Sequence, residues 1–295
     1  MRAGAIVRYK APPRSNEYCL NLVKKVDYDQ YLVNLLQPAD VRQSHAALRA
    51  FSIELAHVSD AVTKFEIGAM RMQWFRKAVN GLFRESDPPS HPVLQALKQT
   101  VTENKVNRMW LLRMIDGREE DVKFQAPNTI DDMEAYAEKV HASLLYAHLE
   151  LLGIRDSKAD HAASHLGKAT GLTQALLATP AAAAKNLAHV PLDLLKKHGV
   201  SDKEALTPPH DAKSPITEVF FEVASAAWSH LLTSRKGTQL PRGASKALMV
   251  SHVVEYRLEQ LRKFHFDPYQ RKLQHPGNHV IIGYKLFKNN LFGRF

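Results

Sequence analysis

What most constrains this chain is the helical period of its apolar residues, which leaves almost no stretch that alternates as a strand would. From Tyr28, the residues Tyr31, Leu32, Leu35 and Leu36 recur at helical spacing until Gln37, Pro38 and Ala39 break the run. Asp40 is then placed to cap a long helix carrying Leu48, Phe51, Leu55 and Val58 on one face. A second amphipathic segment spans Ile67 to Phe83 and stops in SDPPSHP, and further helices are expected over His91–Thr102 and Asn107–Arg118. Thr129 is the expected cap of a longer one, with Asp131 and Asp132 beside the positive end of its dipole and Gly153 at its close. Asp156 starts another that continues to Thr179, where Gly167, Ala169 and Gly171 suit close helix–helix approach. Pro215–Arg235 and Pro241–Phe264 read the same way, and only HVIIGY near the C-terminus reads as strand or helix alike. No repeat or long linker divides the chain. The expectation is an all-α fold, one domain over residues 19–295 behind a basic tail at residues 1–18.

Composition narrows the classes of function. A chain of 295 residues with 45% hydrophobic and 24% charged residues buries a substantial core rather than staying disordered. The formal charge of +10 attracts anionic lipid, an acidic protein or nucleic acid. No nucleic-acid motif accompanies the charge, so no nucleic-acid partner is expected. The single cysteine, Cys19, has no partner for an internal disulfide, which fits a reducing compartment. The longest apolar run, Val219 to Ala227, is interrupted by Glu222 and falls short of the ~20 residues of a spanning helix. Arg2, Arg8, Lys10 and Arg14 precede the first acid, Glu17, a bias that suits a mitochondrial targeting sequence and a plain basic tail about equally.

Three ordered stretches carry a resemblance: LRAFSIELAHVSDAV followed by GAMRMQWFRKAV (Leu48 to Val79), YAEKVHASLLY (Tyr136 to Tyr146), and LGKATGLTQALLATP followed by HVPLDLLKKHGVS (Leu166 to Ser201). Together they resemble the squalene/phytoene synthase family. The resemblance implies a trans-prenyl synthase-like helical bundle in which two aspartate-rich helices hold Mg²⁺ against an allylic diphosphate. Aspartates four apart project from one helix face, and the metal neutralises the charge of the departing diphosphate.

Here those positions fall on Ala56 and Asp60 in the first motif and on Ala178 and Ala182 in the second. Glu54 lies two residues from Ala56, about 200° around a helix, and points elsewhere. Pro180 is expected to disturb the second helix, and Gly171 stands where the family has glutamine. Alanine does not ligate magnesium, so the resemblance implies no metal, no cofactor and no catalytic residue: a pseudo-enzyme.

Within the family, RAFSIELA (Arg49 to Ala56), MRMQWF (Met70 to Phe75), ADHAASHLGKATG (Ala159 to Gly171) and ATP (Ala178 to Pro180) are similar to a degenerate branch that serves mitochondrial complex I assembly. That branch implies a protein peripheral on the matrix side of the inner membrane. Its partners would be complex I subunits or other assembly factors, with an isoprenoid lipid as a further ligand. The competing reading is a prenyltransferase or isoprenoid diphosphate-binding protein, with Asp60 as the surviving ligand and Arg71 gripping an anion.

Other groupings have a plain and a functional reading each. His161 and His165, with Asp160, have the spacing of two metal ligands on a helix, or simply line a packed helix. Arg71, Arg76 and Lys77 beside Trp74 form an anion or partner surface, or a solvated face over a core tryptophan. Lys196, Lys197 and His198 complement a helix C-terminus. YKLFKNNLFGRF interleaves Tyr284, Phe287, Leu291, Phe292 and Phe295 with Lys285, Lys288 and Arg294, suiting a membrane surface, a partner groove or docking on its own domain.

Overall fold

The computed structural model describes residues 11–84, 87–209, 211, 214–236, 239–274, 278–293 and 295, and among them every regular element is a helix. In chain order these are α1 (Pro13–Val26), α2 (Tyr28–Leu35), α3 (Arg42–Asp60), α4 (Phe65–Leu82), α5 (Pro92–Asn104), α6 (Arg108–Asp121), α7 (Ile130–Ala137) and α8 (Ser143–Leu151). There follow α9 (Ser157–Ala183), α10 (Leu192–Lys197), α11 (Asp202–Ala205), α12 (Pro215–Arg235), α13 (Ala244–Ala247), α14 (Val250–Lys263), α15 (Arg271–Gln274) and α16 (His279–Leu291). The all-helical expectation holds, and HVIIGY is the start of α16.

The apolar periods read from the sequence become two packed clusters. Leu48, Phe51, Leu55, Met72, Leu94 and Met114 fill one among α1 and α3–α6. Leu166, Leu172, Phe220, Val223 and Leu261 fill the other around α9, α12 and α14. Helix α8 joins them: Leu144, Ala147 and Leu151 belong to the first cluster, and Leu145, Tyr146 and Leu149 to the second. With all its residues but Glu150 buried, α8 is the axle between the two clusters.

Caps explain most boundaries. Thr129 and Asp132 form a reciprocal capping box at α7, and Asp156 accepts from the amides of Lys158 and Ala159 at α9. Asp40 does not cap α3; Val41 occupies that place without a side-chain bond, one turn residue later than expected. The expected helix over Pro241–Phe264 is broken at Leu248 and Met249 into α13 and α14. The boundary expected after residue 18 falls inside α1, because Ala11 and Ser15 are already buried and bonded to Gln99 and Gln95 of α5. Residues 1–10, with the targeting bias, lie outside the described residues.

Two further departures position the site. Between α7 and α8 the chain makes a π turn, Glu138–Ala142, which pushes Ala142 and His141 toward α9. Only glycine fits opposite: a Cβ on Gly167 would lie 2.5 Å from the Ala142 backbone, and one on Gly171 would lie 2.3 Å from the Ala137 Cβ. Pro180 does not end α9, which continues to Ala183. Only the last turn follows it, so the lost amide removes one bond near an end that frays in any case.

Candidate functional site

The four positions singled out in the sequence lie near the C-terminal ends of α3 and α9. Asp60 closes α3 and Ala56 lies one turn before it; Ala178 and Ala182 fall in the last two turns of α9. None of the three alanines is buried, and their side chains carry no group that could ligate a metal. Lys185, just past α9, places its ammonium 2.7 Å from Asp60 Oδ1.

The neighbouring acids are engaged as well. On α6, Arg76 takes Asp116 at 2.6 Å and Glu119 at 2.7 Å, Lys139 takes Glu120, and Arg118 takes Asp121. Glu54 accepts the Tyr18 hydroxyl at 3.1 Å, on the face the helical geometry assigned it. Among the described residues, no three His, Cys, Asp or Glu side chains group as metal ligands. Mg²⁺ prefers several oxygen ligands in near-octahedral order, and a single carboxylate already neutralised by an ammonium does not supply them. The described acids around Asp60 are thus paired with cations and do not group as a magnesium–diphosphate site.

Within electrostatic reach of Asp60 lies a polar triad that the sequence did not announce. Arg118 donates to Tyr136 Oη at 2.7 Å and pairs with Asp121 at 2.9 Å, while the Tyr136 hydroxyl donates to Asp121 at 3.0 Å. Burial alone would lower the guanidinium pKa, but Tyr136 and Asp121 outweigh it and hold it above its ordinary value. Burial drives the Tyr136 hydroxyl well above its usual range, so it stays protonated as a donor. His189, bonded to the Ala175 carbonyl, is pushed down by burial and remains neutral. Deeper still, burial takes His141 and His148 down to about 3, and holds His45 well below 6.5. His45 stacks on His148 at 4.2 Å, and each is tied to a neutral amide, Asn34 or Gln37.

Alongside the same face of α9 runs a cleft of about 390 Å³. Thr170, Thr173 and Gln174 of α9 form one wall, Val253 and Val254 of α14 another, and Asp27 and Asp29 close the end at the α1–α2 junction. Of its cations, Arg257 is bonded to Asp29, while Lys25 has no ion pair among the described residues. Burial raises the Asp27 pKa, with Arg49 opposing from the interior. A lining that mixes two carboxylates with cations and apolar side chains suits a weakly polar ligand better than a diphosphate.

The other sequence groupings separate. Arg71 and Lys77 are exposed on α4 without an ion pair among the described residues, but Arg76 is committed to Asp116 and Glu119 and is not available to an outside anion. His165 does not join His161 as a ligand pair; its Nδ1 lies 2.7 Å from Nδ1 of His230, whose Nε2 donates to Glu134. His161 meets the His165 ring edge-on, with centroids 4.7 Å apart. Lys197 and His198 hold Glu222 of α12. Phe295 packs on the core, and Arg294 lies outside the described residues.

Comparison with known proteins agrees with this architecture. The model of the family described as squalene/phytoene synthase matches residues 23–278. A Rattus norvegicus protein named NADH dehydrogenase (ubiquinone) complex I, assembly factor 6, is 40% identical over 89% of this chain and 78% of its own length. A Drosophila melanogaster homolog of that name is 34% identical over 95% of the chain and 84% of its own length. The crystal structure of a dehydrosqualene synthase superposes with a TM-score of 0.78 over 93% of this chain and 96% of that one, at 19% identity, which bears on the fold alone.

Proposed function

The chain belongs to the squalene/phytoene synthase family, and from that premise we propose that it is a non-catalytic member assisting assembly of mitochondrial respiratory complex I. The observation that carries the proposal is the aspartate face: Ala56, Ala178 and Ala182 offer methyl groups, and Asp60 is held by Lys185 at 2.7 Å. Ionising an allylic diphosphate needs metal charge at that place, and this chain's own ammonium stands there instead. The relatives at 40% and 34% identity, named for complex I assembly, supply the role.

In this reading the helical body works as one domain through its surface rather than through chemistry. Its partners are complex I subunits or other assembly factors, and it resides in the mitochondrion, peripheral on the matrix side of the inner membrane. No helix among the described residues is long and apolar enough to cross a membrane. The cleft of about 390 Å³ favours one secondary reading, an isoprenoid lipid kept as a bound ligand without turnover.

Removing the protein from its own cells is expected to stall complex I assembly on native gels, and re-expressing the Asp60→Asn variant is expected to restore it. Fully assembled complex I without the protein, or rescue that depends on Asp60, overturns the proposal.

A further inference from the structure

Helix α16 carries apolar residues on two opposite faces. Ile282 and Leu286 are buried against the body, a Cβ on Gly283 would lie 4.0 Å from Leu32 of α2, and Lys285 is bonded to Glu259 of α14. On the far side, Val280 is 80% exposed, Tyr284 65%, Phe287 55% and Leu291 66%. At ~100° per residue these four side chains fall within about 60° of one another, a continuous outward stripe. Large apolar groups exposed in a row, rather than scattered, mark a surface that something else covers.

We infer that this stripe is the surface by which the chain rests on an anionic lipid bilayer. The occupant is chosen by charge and by residue type. From His279 to Phe295 the sequence holds Lys285, Lys288 and Arg294 and not one Asp or Glu. Lys288 borders the stripe, exposed and without an ion pair among the described residues. Tyr284 and Phe287 are the aromatic types that settle at the level of lipid headgroups. An acid-free, aromatic, basic-edged stripe matches a negative bilayer face, where each nearby cation adds attraction. A helix of 13 residues is only ~20 Å long, too short for a ~30 Å hydrocarbon core, so it lies in the plane of the surface.

The inference deepens the peripheral-membrane part of the proposed function and rests on it for location, while its test is independent of complex I. The full chain is mixed with vesicles of phosphatidylcholine, with or without an added anionic phospholipid, and floated on a density gradient. The chain is expected to float with anionic vesicles and to be released by high salt. The Tyr284→Ser/Phe287→Ser double variant is expected to lose at least about tenfold in binding, and Lys288→Glu a few-fold. Both altered faces are exposed, and circular dichroism checks that the variants fold. Three outcomes overturn the inference: no flotation of the parent chain, equal flotation of the double variant, or a parent dimer in solution that the double variant converts to monomer. None of these touches the native-gel result, so failure here is distinguishable from failure of the assembly role.

Discussion

Lys185 lies 2.7 Å from Asp60, joining the end of α3 to the segment just past α9 with an ion pair. A fixed ammonium neutralises one carboxylate, whereas a metal would leave coordination positions open for a diphosphate.

The two side chains are 55% and 62% exposed, so solvent screens their attraction. Lys185→Ala or Asp60→Asn is therefore expected to shift the unfolding midpoint by less than about 3 °C, given at most ~1 kcal/mol for an exposed pair. Calorimetry of the two variants checks this. A fall several times larger would show that the pair organises the helix ends rather than merely occupying them.

Much of the fold was legible in the sequence, since apolar period and caps such as Thr129 and Asp156 are local signals. Asp40 misled because it sits one residue before the actual N-cap, Val41, which caps α3 without a side-chain bond. Nothing in local sequence marks the π turn at Glu138–Ala142; its trace is indirect, in the glycines at positions 167 and 171 that make room for it. At the site, the alanines were readable as alanines. Lys185 and the Arg118–Asp121–Tyr136 triad were not, because their partners meet only through tertiary packing. Arg76 reads as free in sequence, for its acids lie on the next helix but one, α6.

The close contact around the π turn predicts that restoring the family residue is costly. Gly171→Gln is expected to lose about 1–3 kcal/mol, since its Cβ would meet Ala137 at 2.3 Å, and Gly167→Ala at least as much against backbone. Urea denaturation measures both. Neutral outcomes would show that the helices part freely.

Acid is expected to unfold the chain early. His141 and His148 have folded-state pKa values lowered from 6.5 to about 3, so below pH ~6.5 the unfolded chain binds protons that the folded one refuses. Their contribution is intact above that pH and is lost as pH falls toward 3. Each neutral histidine then costs about 1.4 kcal/mol per pH unit. Replacing His148 by Gln is expected to reduce the slope of stability against pH by about one proton between pH 6 and 4. An unchanged slope would mean that His148 titrates normally in the fold.

The triad predicts a stability effect without a catalytic one. Tyr136→Phe removes the hydroxyl bridging buried Arg118 to Asp121 and is expected to destabilise by about 1–3 kcal/mol. Denaturation with and without the substitution reads this directly. No loss would indicate that water replaces the hydroxyl.

The central claim, that metal-dependent diphosphate chemistry has been replaced by a scaffold role, is tested most directly by calorimetric titration. A non-ionising farnesyl diphosphate analogue is titrated with and without Mg²⁺, and farnesol is titrated alongside. The account predicts no gain in affinity from the metal and no preference for the diphosphate over the alcohol. Tight binding that requires both Mg²⁺ and diphosphate would contradict it, since Asp60 would then leave Lys185 to rebuild a metal site with other ligands.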